Sequence, residues 1–464
     1  MVFCGRRARR TVATGLNPML KKCKPPPARA KISEVSDARA GGELLYQSTG
    51  VQPRDRSFSR LSDAAPAALT VYSITLLLLV ATLVALASRR LRVPYTVGLV
   101  VAGTALALAH VHTGTALTGH LLFSALLPPL LFEAALSLSW TELRRDALPI
   151  LTLATVGVVV SALAVAAGMA FLVHWPWPAA LVFGVLIAAT DPVSVLATFK
   201  ENGVVGRLRL LVEAESLLND GVAAVLFALA VTYAQGGTAG HAGWLTLATA
   251  TGGGLLIGAL CGGVAVALAG RPTADHLVET ALTAAAAYGS FLLADHFHVS
   301  GVLATVAAGL VMGNVGALHA TDSPFFTERG REVVLAFWDF AAFVANSLIF
   351  LLIGQGNAAV AFPSLGLIPI AAAVALVWAG RALTVYPLCA LFARSRLRIA
   401  RSHQHALFWG GMRGALALAL ALSLPPGLAY RDQIVIATFS VVAFSVIVQG
   451  IAMPFLLKRW NLLP

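Results

Sequence analysis

The sequence predicts an all-α polytopic membrane protein of about thirteen transmembrane helices, built as inverted repeats with two discontinuous crossing helices. Three observations predict it. Of 464 residues, 58% are hydrophobic and only 12% charged, a balance that argues against soluble domains. From Leu69 onward, apolar stretches of roughly 20 residues recur between short polar breaks, the length that crosses a hydrocarbon core of about 30 Å. Basic residues also gather in alternate connections, as their retention on the cytoplasmic side of a membrane requires.

The apolar runs place helices over 69–88, 94–111, 119–139, 148–174, 178–199, 206–233, 243–270, 276–294, 298–316, 332–355, 364–392, 403–424 and 431–457. Connections after odd-numbered segments hold Arg89, Arg90, Arg92, Arg144, Arg145, Lys200, Arg207, Arg209, Arg271, Arg329, Arg331, Arg394, Arg396, Arg398 and Arg401, and the C-terminus adds Lys458 and Arg459. Connections after even-numbered segments hold only Arg431. A missed or spurious span would scramble that alternation, so it supports both the segment count and an orientation with the C-terminus cytoplasmic. The expected location is the plasma (inner) membrane, with the lipid bilayer as the surrounding partner.

The net charge of +12 is concentrated at the N-terminus, where residues 1–65 carry 13 Lys/Arg against 5 Asp/Glu. That placement gives no support to nucleic-acid binding. Residues 1–65 have no apolar signal-peptide core and no periodicity, so they read as a basic extension preceding a transmembrane domain over 66–464. The extension is an over-extended start, a removable leader or a disordered tail; the Arg-rich, acid-poor residues 1–31 leave an organellar transit peptide, and hence an organellar membrane, open. Cys4, Cys23, Cys261 and Cys389 show neither CxxC nor metal spacing, and the eleven histidines complete no ligand pattern with a carboxylate. No cofactor is implied.

Ionisable residues at membrane depth are costly and mark paired or hydrated sites. Glu133, Asp191, Glu213, Glu215, Asp220 and Asp339 lie inside the predicted helices, with Arg381 and Arg413 to oppose them. The sixth segment reads Glu213-Ala-Glu215-Ser216-Leu-Leu-Asn219-Asp220. With Glu215 as zero, Asn219 projects at about 40°, Ser216 at about 100°, Asp220 at about 140° and Glu213 at about 160°, one polar face from which Leu217 and Leu218 point away. The fifth segment carries Thr190-Asp191-Pro192 at its middle. Pro192 has no N–H for the Ala188 carbonyl, so the helix either kinks or opens, and carbonyls freed by opening are ligands for a hard cation. The twelfth segment has a comparable interruption at Gly410-Gly411-Met412-Arg413-Gly414. Two interruptions seven helices apart fit an inverted repeat of helices 1–6 against 8–13. Arg413 needs an anion at that depth, and Glu215, at the edge of the polar face, is the expected partner in a structural ion pair. Glu133, after Pro128-Pro129 in the third segment, is either a third wall of the site or a packing carboxyl; Asp339 and Arg381 carry no assignment from spacing. Gly254, Gly258 and Gly262 form a repeated GxxxG suited to close packing within the bundle.

These motifs resemble those of the NhaP/NHE-type sodium/proton antiporters, in the branch with Asn-Asp rather than Asp-Asp at the site. The resemblance covers 69–457 and rests on Pro128-Pro129-Leu-Leu-Phe-Glu133, Thr190-Asp191-Pro192, Glu215-Ser216-Leu-Leu-Asn219-Asp220, the run from Phe340 through Asn346 to Gly354, Gly410-Gly411-Met412-Arg413-Gly414 and Val448-Gln449-Gly450. It implies an antiporter-type fold in which Asp220 alternately holds a cation or a proton, aided by Asp191, Ser216, Thr190 and Glu133, with Asp220 and Asp191 holding Na+ and Asn219 orienting the site. It further implies the Glu215–Arg413 pair, a homodimer, and elevator-like movement of a core containing the two interrupted helices. Ala214 and Met412 stand where the family usually has glycine and leucine. The basic extension is not a family feature, and regulation by a nucleotide-binding domain within this chain is not expected.

The expected function is secondary exchange of Na+, or Li+, for H+, one for one and electroneutral, serving pH and sodium homeostasis. K+/H+ exchange on the same scaffold is the close alternative. A cation channel would not need a carboxylate that binds ion or proton, and an intramembrane aspartyl protease would need a GxGD motif that neither Asp191 nor Asp220 has.

Overall fold

The computed structural model describes residues 71–91, 93–111, 117–201, 203–237, 241–270, 275–316, 325–359 and 365–463. The basic extension expected over 1–65 lies outside the described residues.

Helices account for nearly all of the described chain, in the order α1 (Val71–Leu91), α2 (Tyr95–Leu108), α3 (Gly119–Ser137), α4 (Trp140–Arg145), α5 (Ala147–Leu172), α6 (Trp177–Leu186), α7 (Val193–Glu201), α8 (Arg207–Ala234), α9 (His241–Ala269), α10 (His276–His296), α11 (Gly301–Asn314), α12 (Glu328–Ala359), α13 (Leu367–Leu391), α14 (Arg401–Gly410), α15 (Ala415–Leu422) and α16 (Arg431–Arg459). Among the described residues, ten helical segments are long and apolar enough to cross a membrane, α14 and α15 together forming one of them. Three expected segments fall on the shorter apolar helices α2, α6 and α11. The short α4 was not expected; it follows the 119–139 segment and ends in Arg144 and Arg145. Single π-helical turns at Leu122–Leu126, Leu153–Gly157 and Ser445–Gln449 interrupt α3, α5 and α16, a local adjustment that apolar periodicity does not report.

The interruption at Pro192 is an opening rather than a kink. Helix α6 ends at Leu186, and α7 starts only at Val193. Pro192 suits the start of α7, where no N–H is needed, and its carbonyl takes the Leu196 N–H at 2.7 Å. The second interruption, between α14 and α15, lies against the first: the Asp191 N–H donates to the Met412 carbonyl at 2.8 Å.

Close backbone approach sets the packing around this centre. A side chain at Gly254 or Gly262 of α9 would meet the carbonyls of Ser300 or Ala308 at 2.6 and 2.9 Å, so the GxxxG stripe serves packing on α11 within the bundle. Phe132 of α3 lies 4.5 Å from Trp338 of α12, whose indole N–H donates to Thr283 of α10. At the arginine-rich end, Arg207 donates to Asp146 and to the carbonyls of Leu397 and Arg398. One guanidinium thereby ties the start of α8 to the connections before α5 and before α14.

Candidate functional site

Helix α8 runs past both interruptions, and its polar residues divide into two groups with different neighbours. Asn219 accepts the Thr190 N–H at 3.2 Å and donates to the Thr190 hydroxyl at 2.6 Å and to Glu215 Oε1 at 3.1 Å. Ser216 bonds the Thr190 hydroxyl at 3.1 Å and also donates to the Thr190 carbonyl. All of these groups are buried. They hold the opened strand after α6 in place, because its free N–H and carbonyl find partners on α8 instead of water.

The expected Glu215–Arg413 pair is corrected by the structure. Glu215 is held in a two-pronged pair by Arg381 of α13, with Nη1 at 2.8 Å from Oε1 and Nη2 at 2.9 Å from Oε2. Arg381 also donates to the Leu407 carbonyl. A planar guanidinium matched to both carboxylate oxygens gives the strong geometry for such a buried pair. Arg413 is 1% exposed and donates to the Gly411 carbonyl, while its Nε has no partner. Its charge lies just past the C-terminal end of α14, where the helix dipole favours a cation. Spacing favoured Arg413 because it sits in an interruption; Arg381 is a lone charge in a 25-residue apolar helix, and that isolation was the available signal.

Asp191 is fixed by the starts of two half-helices. Its Oδ1 accepts the Val193 N–H of α7 at 2.9 Å, and its Oδ2 accepts the Ala415 N–H of α15 at 3.2 Å. Both helix starts favour an anion. Gly414 makes this approach possible, since a Cβ there would overlap the Asp191 carboxylate.

Asp220 is the exception among these groups. It is 9% exposed, and its Oδ1 has no hydrogen-bond partner. It lines a cavity of about 80 Å³ together with Glu133, Thr190, Asp191, Pro192, Glu213 and Asn346. Glu133 is half-buried in this wall, so the structure brings it to the site. Glu213, assigned only to the polar face, also lines the cavity, with Ser137 donating to it at 3.0 Å and Arg209 at 3.4 Å. Leu217, expected to point away, lies in the same wall. The single polar face is therefore two: Glu215, Ser216 and Asn219 turn toward Thr190 and Arg381, while Asp220, Glu213 and Leu217 turn toward the cavity. The 3.6-residue projection orders them the same way, the first three within about 100° and the others from about 140° to 200°, and the structure adds what stands opposite each arc.

A second cavity of about 510 Å³ lies toward the Ala234 end of α8, lined by Ala224, Phe227, His120, Asp295 and His298 among others. Between the two, Gly221 faces Leu303 so closely that a Cβ there would overlap its side chain.

Residues 75–459 match the sodium/hydrogen exchanger transmembrane family. The chain belongs to that family. It is a multi-pass membrane protein and a secondary transporter rather than an enzyme. This exchanger is 37% identical over 388 residues to the Na+/H+ antiporter ApNhaP of Aphanothece halophytica, covering 83% of this chain and 73% of that protein. It is 35% identical to the Na+/H+ antiporter NhaH of Halobacillus dabanensis, covering 84% of this chain and 98% of the relative. Its fold matches the sodium proton antiporter MjNhaP1 of Methanocaldococcus jannaschii with a TM-score of 0.66 at 20% identity, over 83% of this chain and 97% of that one. That likeness shows the expected antiporter-type fold. The channel and protease readings gain nothing from these comparisons.

Proposed function

We propose that this exchanger moves Na+ against H+ one for one, with Asp220 as the group that holds either. The observation that carries the reading is the unpartnered Asp220 Oδ1, buried at the wall of the cavity beside two opened helices. A buried carboxylate oxygen without a partner is costly, and a proton or a cation relieves that cost. The two compete for the same oxygens, so one must leave before the other binds, and exchange needs neither ATP nor a cofactor. Asn219 cannot ionise, and its amide is committed to Thr190 and Glu215. A single alternating carboxylate then moves one positive charge each way.

Asp191, Thr190 and Glu133 line the same cavity, and Ser216 holds Thr190, so these residues support the ion from the sides. Relatives named as Na+/H+ antiporters favour Na+ over K+ as the cargo; Li+ would fit the same hard oxygen set. The clustering of arginines favours a plasma-membrane protein with a cytoplasmic C-terminus. In that orientation the Asp220 cavity lies on the cytoplasmic, Arg209 side of the Leu303 contact. Exchange would require that contact to open toward the second cavity. The family resemblance of the site motifs is the ground for expecting a homodimer, and sodium and pH homeostasis is the role such exchange serves.

Purified protein in proteoliposomes tests the reading. Sodium should dissipate an imposed pH gradient, with the apparent KM for Na+ rising by about tenfold for each unit fall in pH where H+ dominates the competition and Vmax unchanged. Solid-supported membranes should register no steady transport current. Asp220→Asn should abolish exchange while leaving the protein folded; sodium-driven proton flux retained by that variant would refute the assignment.

A further inference from the structure

We propose that Asn346 of α12 is a cation-facing residue whose amide oxygen completes the coordination of the ion held at Asp220 and sets which alkali cation is accepted. The inference rests on the Asp220 reading above. The cavity of about 80 Å³ has room for only a few waters, and Asn346 and Asp220 both line it. Its other polar walls come from α3 (Glu133), the opened strand before α7 (Thr190 and Asp191) and α8 (Glu213 and Asp220). The Thr190 hydroxyl is already bound by Asn219 and Ser216, and Asp191 is bound by two N–H groups. Asn346 has no hydrogen-bond partner among the described residues. It brings the one neutral amide to a cavity otherwise walled by carboxylates, Thr190 and apolar groups.

The helix that carries Asn346 is held in register. The neighbouring Ser347 is buried and bonds the Tyr95 hydroxyl of α2 at 2.7 Å, Phe343 stacks on the Tyr95 ring at 5.5 Å, and Thr104 of α2 donates to the Gly354 carbonyl at 3.1 Å. Asn346 and Ser347 lie about 100° apart around the helix, so fixing Ser347 on α2 fixes the direction in which Asn346 meets the cavity. Asp339, seven residues earlier, projects within about 20° of Asn346 and about 10 Å nearer the Arg329 end. Asp339 and Asn346 thus form one polar stripe on α12 that leads from the arginine-rich end to the cavity.

Carboxylates attract any small cation by charge, whereas selection among cations depends on ligand number, cavity size and rigidity. An amide oxygen on a register-fixed helix adds a ligand without adding charge. It can discriminate between ions while leaving the one-for-one balance intact.

The test compares Na+, Li+ and K+ in proteoliposomes of the full chain, reading dissipation of a pH gradient. Asn346→Ala should raise the apparent KM for Na+ about tenfold, the effect of losing one ligand to a charged group, with Vmax within about twofold. The ratio of the Li+ and Na+ KM values should shift by at least about threefold, because the two ions differ in ligand demand. Asn346→Ser, with a shorter oxygen, should fall between wild type and Asn346→Ala, and it decides the matter if the alanine variant fails to fold. Unchanged KM values, or an equal rise for both ions with the ratio intact, would overturn the proposal, because a packing defect does not distinguish the ions. Asp220→Asn measured in parallel separates the two readings. Retained exchange in that variant removes the Asp220 assignment, whereas its loss alongside wild-type selectivity in the Asn346 variants removes only Asn346.

Discussion

On one side of α8, Glu215, Ser216 and Asn219 are bound by Arg381 and Thr190, and their polar atoms are matched. Around the same helix, Asp220 leaves Oδ1 without a partner at the cavity wall. Both sides are buried at membrane depth, and both carry a carboxylate. The difference teaches that polarity on a membrane helix has two separable uses. Saturated groups hold an otherwise unstable backbone opening in place, and an unsaturated one is left for cargo. Stability and transport should therefore come apart on mutation.

The largest loss of stability should come from the saturated side. Glu215→Ala strips Arg381 of its partner and should cost about 3–5 kcal/mol, read as a fall in the apparent Tm of the detergent-solubilised protein. The double variant with Arg381→Ala should lose less than the two single losses added together. If it lost their full sum, the pairing would be wrong. Asn219→Ala removes the donor to Thr190 and Glu215 and the acceptor of the Thr190 N–H, and about 1–3 kcal/mol is expected, together with slower exchange. Wild-type Tm and wild-type turnover in that variant would show that the opened strand does not depend on α8.

A smaller stability change should be that of Arg413→Met. This guanidinium is buried with one carbonyl partner and an unmatched Nε, and replacing a poorly paired buried charge by an apolar side chain should shift stability by less than about 1 kcal/mol. A loss as large as that of Glu215→Ala would restore the Glu215–Arg413 pair to consideration. Asp220→Asn is the counterpart from the unsaturated side: exchange should vanish with no fall in Tm.

Much of this was legible in the chain itself. Asp191 and Pro192 in an apolar run implied a kinked or opened helix, and Gly410 through Gly414 implied a second interruption, because a missing N–H and paired glycines have local consequences. The glycine stripe of α9 implied close packing for the same kind of reason. Three features were not legible. Which arginine meets Glu215 depends on where α13 packs relative to α14, and no spacing connects Arg381 to Glu215 across 166 residues. The division of the α8 polar face depends on what stands opposite each residue. Leu217 entered the cavity wall because an apolar residue borders a site as readily as a polar one does.

The sequence by itself determined that the protein spans a membrane, the family it belongs to, where its helices break and which residues carry charge at depth. The family rests on the motifs quoted above and their match to known exchangers; the rest follows from apolar length, the side on which basic residues are retained, and the bonding limits of proline and glycine. Tertiary structure alone decided that Arg381 rather than Arg413 meets Glu215, that Asp191 serves the starts of two half-helices, and that Asp220 keeps a buried carboxylate oxygen without a partner. The physical reason is that hydrogen-bond saturation is a property of neighbours in space. A side chain's chemistry fixes what it can bind, and only packing fixes what is within 3 Å of it.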